Sequence, residues 1–142
     1  MTKYHFKKKV ILAIISITGI SIFFLSCRKF NQADKKYNNY QYSDAIPLYK
    51  KALKSEDKDP DYWAKLGDCY KKNNQVVEAE NCYANAAVNE KGQSIYKFKY
   101  AQMLMSNEKY DKALDWMSKY LKENPNDSWG KKLASSSMGA RF

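Results

Sequence analysis

The sequence predicts an all-α fold, a solenoid of stacked helical hairpins, and three observations carry that prediction. Ala45, Ala79 and Ala113 recur at intervals of 34 residues. Around each of them, apolar and small residues follow the i, i+3, i+4, i+7 pattern of a helix with one buried face, in segments 44–54 and 110–121 most clearly. No segment alternates with period two for long enough to suggest a sheet.

The fullest copy of the repeat runs Trp63, Leu66, Gly67, Tyr70, then Ala79, Tyr83 and Ala86. One step upstream lie Ala33, Tyr42, Ala45, Tyr49 and Ala52; one step downstream lie Ala101, Leu104, Tyr110, Ala113, Met117 and Pro125. This spacing resembles the tetratricopeptide repeat (TPR), a 34-residue helix–turn–helix unit. Physics gives the spacing a reason. Two antiparallel helices approach closely only where small residues such as Gly67 or Ala101 face Ala79 or Ala113, while Trp63, Tyr70, Tyr83 and Met117 fill the space around them. A single hairpin cannot bury its apolar face, so neighbours must stack, and three repeats are close to the practical minimum.

Repeats are expected at about 33–59, 60–93 and 94–127, followed by a short capping helix at 128–134, in which Trp129 and Leu133 pack at i, i+4, and a flexible tail at 135–142. Loops are expected at 55–60, 91–93 and 124–127, where Pro, Gly, Asn and Asp gather. The first helix of repeat one is degenerate, with Lys29 and Gln32 at the usual Trp and Leu positions. Pro47 is expected in the first turn of its helix, where a missing N–H costs little.

Ahead of the array, Lys3, Lys7, Lys8 and Lys9 precede an apolar run from Val10 to Leu25 that ends in Ser26-Cys27. This is the pattern of a secretory signal, which places residues 1–26 in the signal and 27–32 in a tether. The Leu-Ser-Cys ending resembles the lipobox of bacterial lipoproteins, with Phe24 where Leu is usual; the resemblance implies acylation at Cys27. An uncleaved anchor and ordinary cleaved secretion are the alternatives, although the run is short for a membrane span and contains Ser16, Thr18, Gly19 and Ser21. Cleavage would remove four lysines and lower the net charge from +10 to about +6. Arg28 and Lys29 would then lie beside anionic headgroups. By the same resemblance, the absence of Asp at position 28 points away from the inner membrane and the absence of an acidic cluster after Cys27 points away from the cell surface, which leaves the outer membrane, facing the periplasm.

The chain is poor in catalytic chemistry. Its one histidine is His5, inside the expected signal, so Ser–His–Asp and Cys–His schemes have no base. Its five glycines are scattered, without a phosphate-cradling motif. Asp57, Asp59 and Asp61 mimic the start of a calcium loop, but Tyr62 and Asp68 stand where that loop needs Gly and Glu. Cys69 and Cys82 lie on opposite helices of repeat two; an oxidising periplasm would allow them to pair, but their positions do not obviously face each other, and buried free thiols are the expectation. With only two arginines and lysines scattered among acids, nucleic acid is not an expected partner. No enzyme activity, cofactor, metal or small-molecule substrate is expected.

What the TPR resemblance implies is binding of a protein or peptide partner in a groove lined by the first helices. Carried onto this sequence, the groove positions include Tyr37, Asp61, Asp68, Lys71, Lys72, Ile95, Phe98, Gln102 and Met105. Phe30, Asp34 and Ile95 replace the Lys and Asn that hold a C-terminal carboxylate in heat-shock co-chaperones, so that clamp is not expected. The segments 44–53, 63–70, 100–104 and 110–117 further resemble the N-terminal TPR module of OmpA-family envelope lipoproteins, some associated with type IX secretion. Residues for a wall-binding domain are not in this sequence. A scaffold is therefore expected, or else an assembly subunit or truncated relative that self-associates.

Overall fold

The computed structural model describes residues 32–54, 59–90 and 92–140. The apolar run, Cys27 and the tether up to Asn31 lie outside the described residues. Among those described there are seven helices and no strand: α1 over 32–38, α2 Tyr42–Ala52, α3 Pro60–Lys72, α4 Val76–Ala87, α5 Ser94–Ser106, α6 Tyr110–Glu123 and α7 Ser128–Gly139. From α2 onward each packs on the next along the chain, as stacked hairpins require. None of these helices is long and apolar enough to cross a membrane.

The hairpin turns share one backbone solution. Tyr40, Asn74 and Glu108, spaced 34 apart, all have φ near +60° (59°, 58° and 59°). Around each, the N–H three places past the helix reaches back five residues, from Gln41 to Lys36, Gln75 to Tyr70 and Lys109 to Leu104. This is the Schellman ending, which satisfies carbonyls that a helix terminus leaves open. Asn tolerates the left-handed region; Tyr and Glu adopt it at a cost set by the clash of Cβ with the following carbonyl. The longer connections use side-chain caps. Asp59 accepts the Asp61 N–H at 2.9 Å with Pro60 at the first helical position, and Asp127 accepts the Trp129 and Gly130 N–H groups.

The cores lie between successive hairpins. Ala33, Ala45, Tyr49, Leu66, Cys69 and Cys82 form the first, and Ala101, Met117 and Tyr120 form the last, with Phe98 and Leu133 packed against it. Ala45, Ala79 and Ala113 are all buried, each at an equivalent crossing. Gly67 has the Tyr83 ring as its closest side-chain neighbour, so near that an added Cβ would lie 2.9 Å from it. The close approach is thus to an aromatic face as well as to a small residue. Cys69 and Cys82 are both free and buried.

Two local expectations are corrected. Pro47 is not in the first turn, because α2 begins at Tyr42; Pro47 and Ser43, whose carbonyl it cannot bond, are both exposed, so water can serve that carbonyl. The terminal helix continues to Gly139 instead of ending near residue 134. There the hydroxyls of Ser135 and Ser136 bond the Lys132 carbonyl and that of Ser137 bonds the Leu133 carbonyl, holding the serines in the helix. Trp129 does not pack with Leu133. It is 69% exposed with the Lys132 ammonium over its ring, while Leu133 turns inward.

Candidate partner-binding face

The first helices of the first three hairpins, α1, α3 and α5, are joined side by side through their polar groups. Asp34 on α1 accepts the Tyr49 hydroxyl at 2.6 Å and the Lys65 ammonium at 2.8 Å. Asp68 on α3 does the same with Tyr83 at 2.6 Å and Lys99 at 2.7 Å, and also accepts the Tyr37 hydroxyl at 3.0 Å. Every member of the second set lies 34 residues after its counterpart in the first. Each aspartate therefore ties its own hairpin together through a tyrosine and reaches the next hairpin through a lysine. Such charge-assisted bonds, partly shielded from water, are stronger than their surface equivalents.

Burial is the main reason that the Tyr49, Tyr83 and Tyr37 hydroxyls ionise well above the ordinary tyrosine range, with the adjoining aspartates adding to it. Tyr96 is raised for the same reasons by burial and by Asp61, which accepts its hydroxyl. The Cys69 and Cys82 thiols are pushed up to about 12, again chiefly by burial.

In the third hairpin the same three positions hold Gln102, Met117 and Leu133. The polar ladder stops, and an open depression of about 360 Å³ lies across α3, α5 and α7, lined by Lys71, Gln102, Met103, Met105, Ser106 and Leu133.

The expected groove residues thus fall into three groups. Tyr37, Asp61 and Asp68 are engaged in hydrogen bonds within the fold. Lys71, Gln102 and Met105 line the depression, whereas Lys72 and Ile95 are exposed on the same helices and do not line it. Phe98 is turned onto Tyr120, ring centroids 5.2 Å apart, in the last core. Sequence reasoning did not single out Lys65 or Lys99, and placed Leu133 only in the capping helix, although each follows from its 34-residue offset. Asp59 and Asp61 are occupied in capping α3 and holding Tyr96, and among the described residues no group of three metal-ligating side chains converges.

Two tetratricopeptide repeat family models match the chain, over residues 38–97 and 70–128. No curated protein matches it. Among solved structures, the Sgt2 TPR domain from Aspergillus fumigatus is 19% identical with a TM-score of 0.65, covering 80% of this chain and 76% of that one. The first TPR of Spaghetti (RPAP3), bound to the HSP90 peptide SRMEEVD, is 15% identical with a TM-score of 0.71, covering 81% and 91%. The Yersinia enterocolitica type III secretion chaperone SycD, in complex with a peptide of the translocator YopD, is 18% identical with a TM-score of 0.62, covering 80% and 86%. At these identities the likeness concerns the fold. Together with the 34-residue recurrence of core, turn and polar ladder, these matches make the chain a tetratricopeptide-repeat solenoid.

Proposed function

We propose that the protein is a non-enzymatic interaction scaffold, held in the cell envelope by a lipid on Cys27, that binds a peptide or a partner subunit along the face formed by α3, α5 and α7. The observation that carries this is the depression at Lys71, Gln102, Met105 and Leu133, where the internal ion pairs of the first two hairpins give way to uncharged side chains beside an exposed lysine. Further support comes from the solved structures of similar fold, two of which hold peptides. The anchor rests on the basic, apolar and Leu25-Ser26-Cys27 sequence, and the placement at the periplasmic face of the outer membrane rests on the residues after Cys27.

A photoreactive residue placed at Gln102 or Met105 in cells should form a discrete crosslinked species that Leu133→Lys suppresses. The same label at Lys112, on α6, should not form it. Equal crosslinking at both positions would remove the case for this face. Labelled fatty acid should enter wild type and be absent from Cys27→Ala; incorporation by both would remove the anchor.

A second function, as an assembly subunit of the kind found in multidomain OmpA-family lipoproteins, draws on the edge between α6 and α7. Leu114, Leu121, Ala134 and Met138 line an open trough of about 550 Å³ there, and Met138 is 53% exposed. Sedimentation at increasing concentration distinguishes the two: a strict monomer at high concentration counts against self-association.

A further inference from the structure

A second opening lies away from the face shared by the first helices, in the furrow between α2 and α4 where α3 forms the floor. Its volume is about 300 Å³. Trp63, Leu66 and Tyr70 make the floor, one face of α3, with Leu53 and Cys82 as apolar walls. Lys50 near the end of α2 and Lys54 just past it stand on the rim, both exposed. Glu78, in the first turn of α4, is at the opposite end, beside Tyr70.

The next hairpin supplies an internal comparison. Thirty-four residues on, the Cys82 position is Trp116 and the Leu66 position is Tyr100, and their rings meet edge-on with centroids 5.1 Å apart. Both rings pack on Ala64, Ala86, Ala87 and Tyr96. Where the tryptophan fills the furrow, the positions of Lys50 and Lys54 are Ala84 and Val88. A small Cys82 and two lysines therefore occur together in one furrow, and a large Trp116 and two uncharged side chains at the equivalent positions of the other.

We propose that this furrow binds a single-chain amphiphile with an anionic head, in chemical class a fatty acid. Its tail lies on Trp63, Leu66 and Tyr70 between Leu53 and Cys82, and its carboxylate meets the Lys50 and Lys54 ammonium groups. An apolar floor requires an apolar body, and two exposed lysines at one end favour a negative group there. The volume is at the low end of small-molecule sites, about 300 Å³. A partner helix, about 10–12 Å across with its side chains, would need a wider trough.

The test uses the full chain in nanodiscs of zwitterionic lipid and 12-bromododecanoate, whose bromine quenches tryptophan on contact. Saturable quenching is expected, and it should disappear in Trp63→Phe, which leaves Trp116 and Trp129 in place. Cys82→Phe, which fills the furrow as Trp116 fills its counterpart, should abolish it. Lys50→Glu with Lys54→Glu should weaken binding by roughly tenfold or more, the loss of at least one charge-assisted contact. The 12-bromododecyl trimethylammonium cation should not bind.

Absence of saturable quenching would overturn the proposal. So would quenching that survives Trp63→Phe, or equal binding of the cationic analogue. Occupation of the furrow by an amphipathic helical peptide, with no response to the bromo acid, would overturn it as well. If Cys82→Phe loses its helical circular dichroism, the exposed lysine pair decides, because Lys50 and Lys54 bear on no core.

Discussion

The carboxylate of Asp68 accepts the Tyr83 hydroxyl at 2.6 Å and the Lys99 ammonium at 2.7 Å, reproducing Asp34 with Tyr49 and Lys65 one repeat earlier. Tyr83 is almost wholly buried, so its bond cannot be replaced by water. Tyr83→Phe is expected to destabilise the fold by about 1.5–3 kcal/mol, the range for a hydrogen bond to a charged group. Urea unfolding measures it. A cycle with Asp68→Asn should show coupling between the two positions, and additive losses would mean that the bond contributes nothing.

Gly67 and Gly139 should respond in opposite ways to alanine. At Gly67 the new methyl meets the Tyr83 ring at 2.9–3.1 Å, and that ring is held at its far end by Asp68. Overpacking of this kind costs about 1–3 kcal/mol, outweighing a gain in helix propensity of about 1 kcal/mol or less. At Gly139 nothing lies within 4 Å, so alanine there should leave stability unchanged or slightly raised. Thermal melts of the two variants decide.

Glu108 holds a left-handed conformation that its Cβ disfavours, at the place where Asn74 sits in the previous repeat. Glu108→Asn should stabilise by up to about 1 kcal/mol, and Asn74→Val should destabilise by a similar or larger amount. Equal melting temperatures for wild type and Glu108→Asn would mean that the turn carries no strain.

Alkaline pH should unfold the protein before it ionises its core. Cys69 and Cys82 ordinarily ionise near 9.0, but in the fold they are pushed up to about 12, and the buried tyrosines move in the same direction from 10.0. Above about pH 9 the unfolded chain therefore holds fewer protons than the folded one, and stability falls as pH rises. In a Cys27→Ser chain, a thiol reagent at pH 8 should label neither cysteine until denaturant is added. Rapid native labelling would contradict their burial.

Asp127 behaves in the opposite sense. The Tyr120 hydroxyl holds its carboxyl below the ordinary range, helped by the N–H groups at the start of α7. Its contribution is present above the unfolded carboxylate range and is lost as pH falls through the lower folded value. Asp127→Ala should lower the melting temperature at pH 7 and flatten its fall in acid. Deleting residues 128–142 should lower it further, because Phe98, Met117 and Tyr120 lose the cover of Leu133.

The array was legible from Ala45, Ala79 and Ala113, since small residues at helix crossings are dictated by backbone distance and leave a periodic trace. Trp63, Gly67 and Tyr70 fixed the register for the same reason. The shared turn was not legible: Tyr40 and Glu108 have no turn chemistry of their own, and the stacking of the hairpins imposes their torsion. The polar ladder was half visible. Asp68 read as a groove residue and Tyr83 as core, and only the three-dimensional approach of α3 to α4 and α5 brings them to one carboxylate. Pro47 and the serines of α7 misled because their local preferences yield to solvent access in one case and to back-bonding hydroxyls in the other.

Because Asp34 reaches forward to Lys65 just as Asp68 reaches forward to Lys99, residues 60–93 make a module whose two ends match. A duplicate inserted after residue 93 would present its own lysine to the aspartate before it and its own aspartate to the lysine after it, so both links of the ladder would be kept. The chain can thus be lengthened by whole modules with its ladder intact, while Glu80 of the first copy, paired with Lys109 here, would face Gln75 of the duplicate. Growth by one unit would move the uncharged stretch at Gln102 and Leu133 farther from the N-terminus and leave its composition untouched.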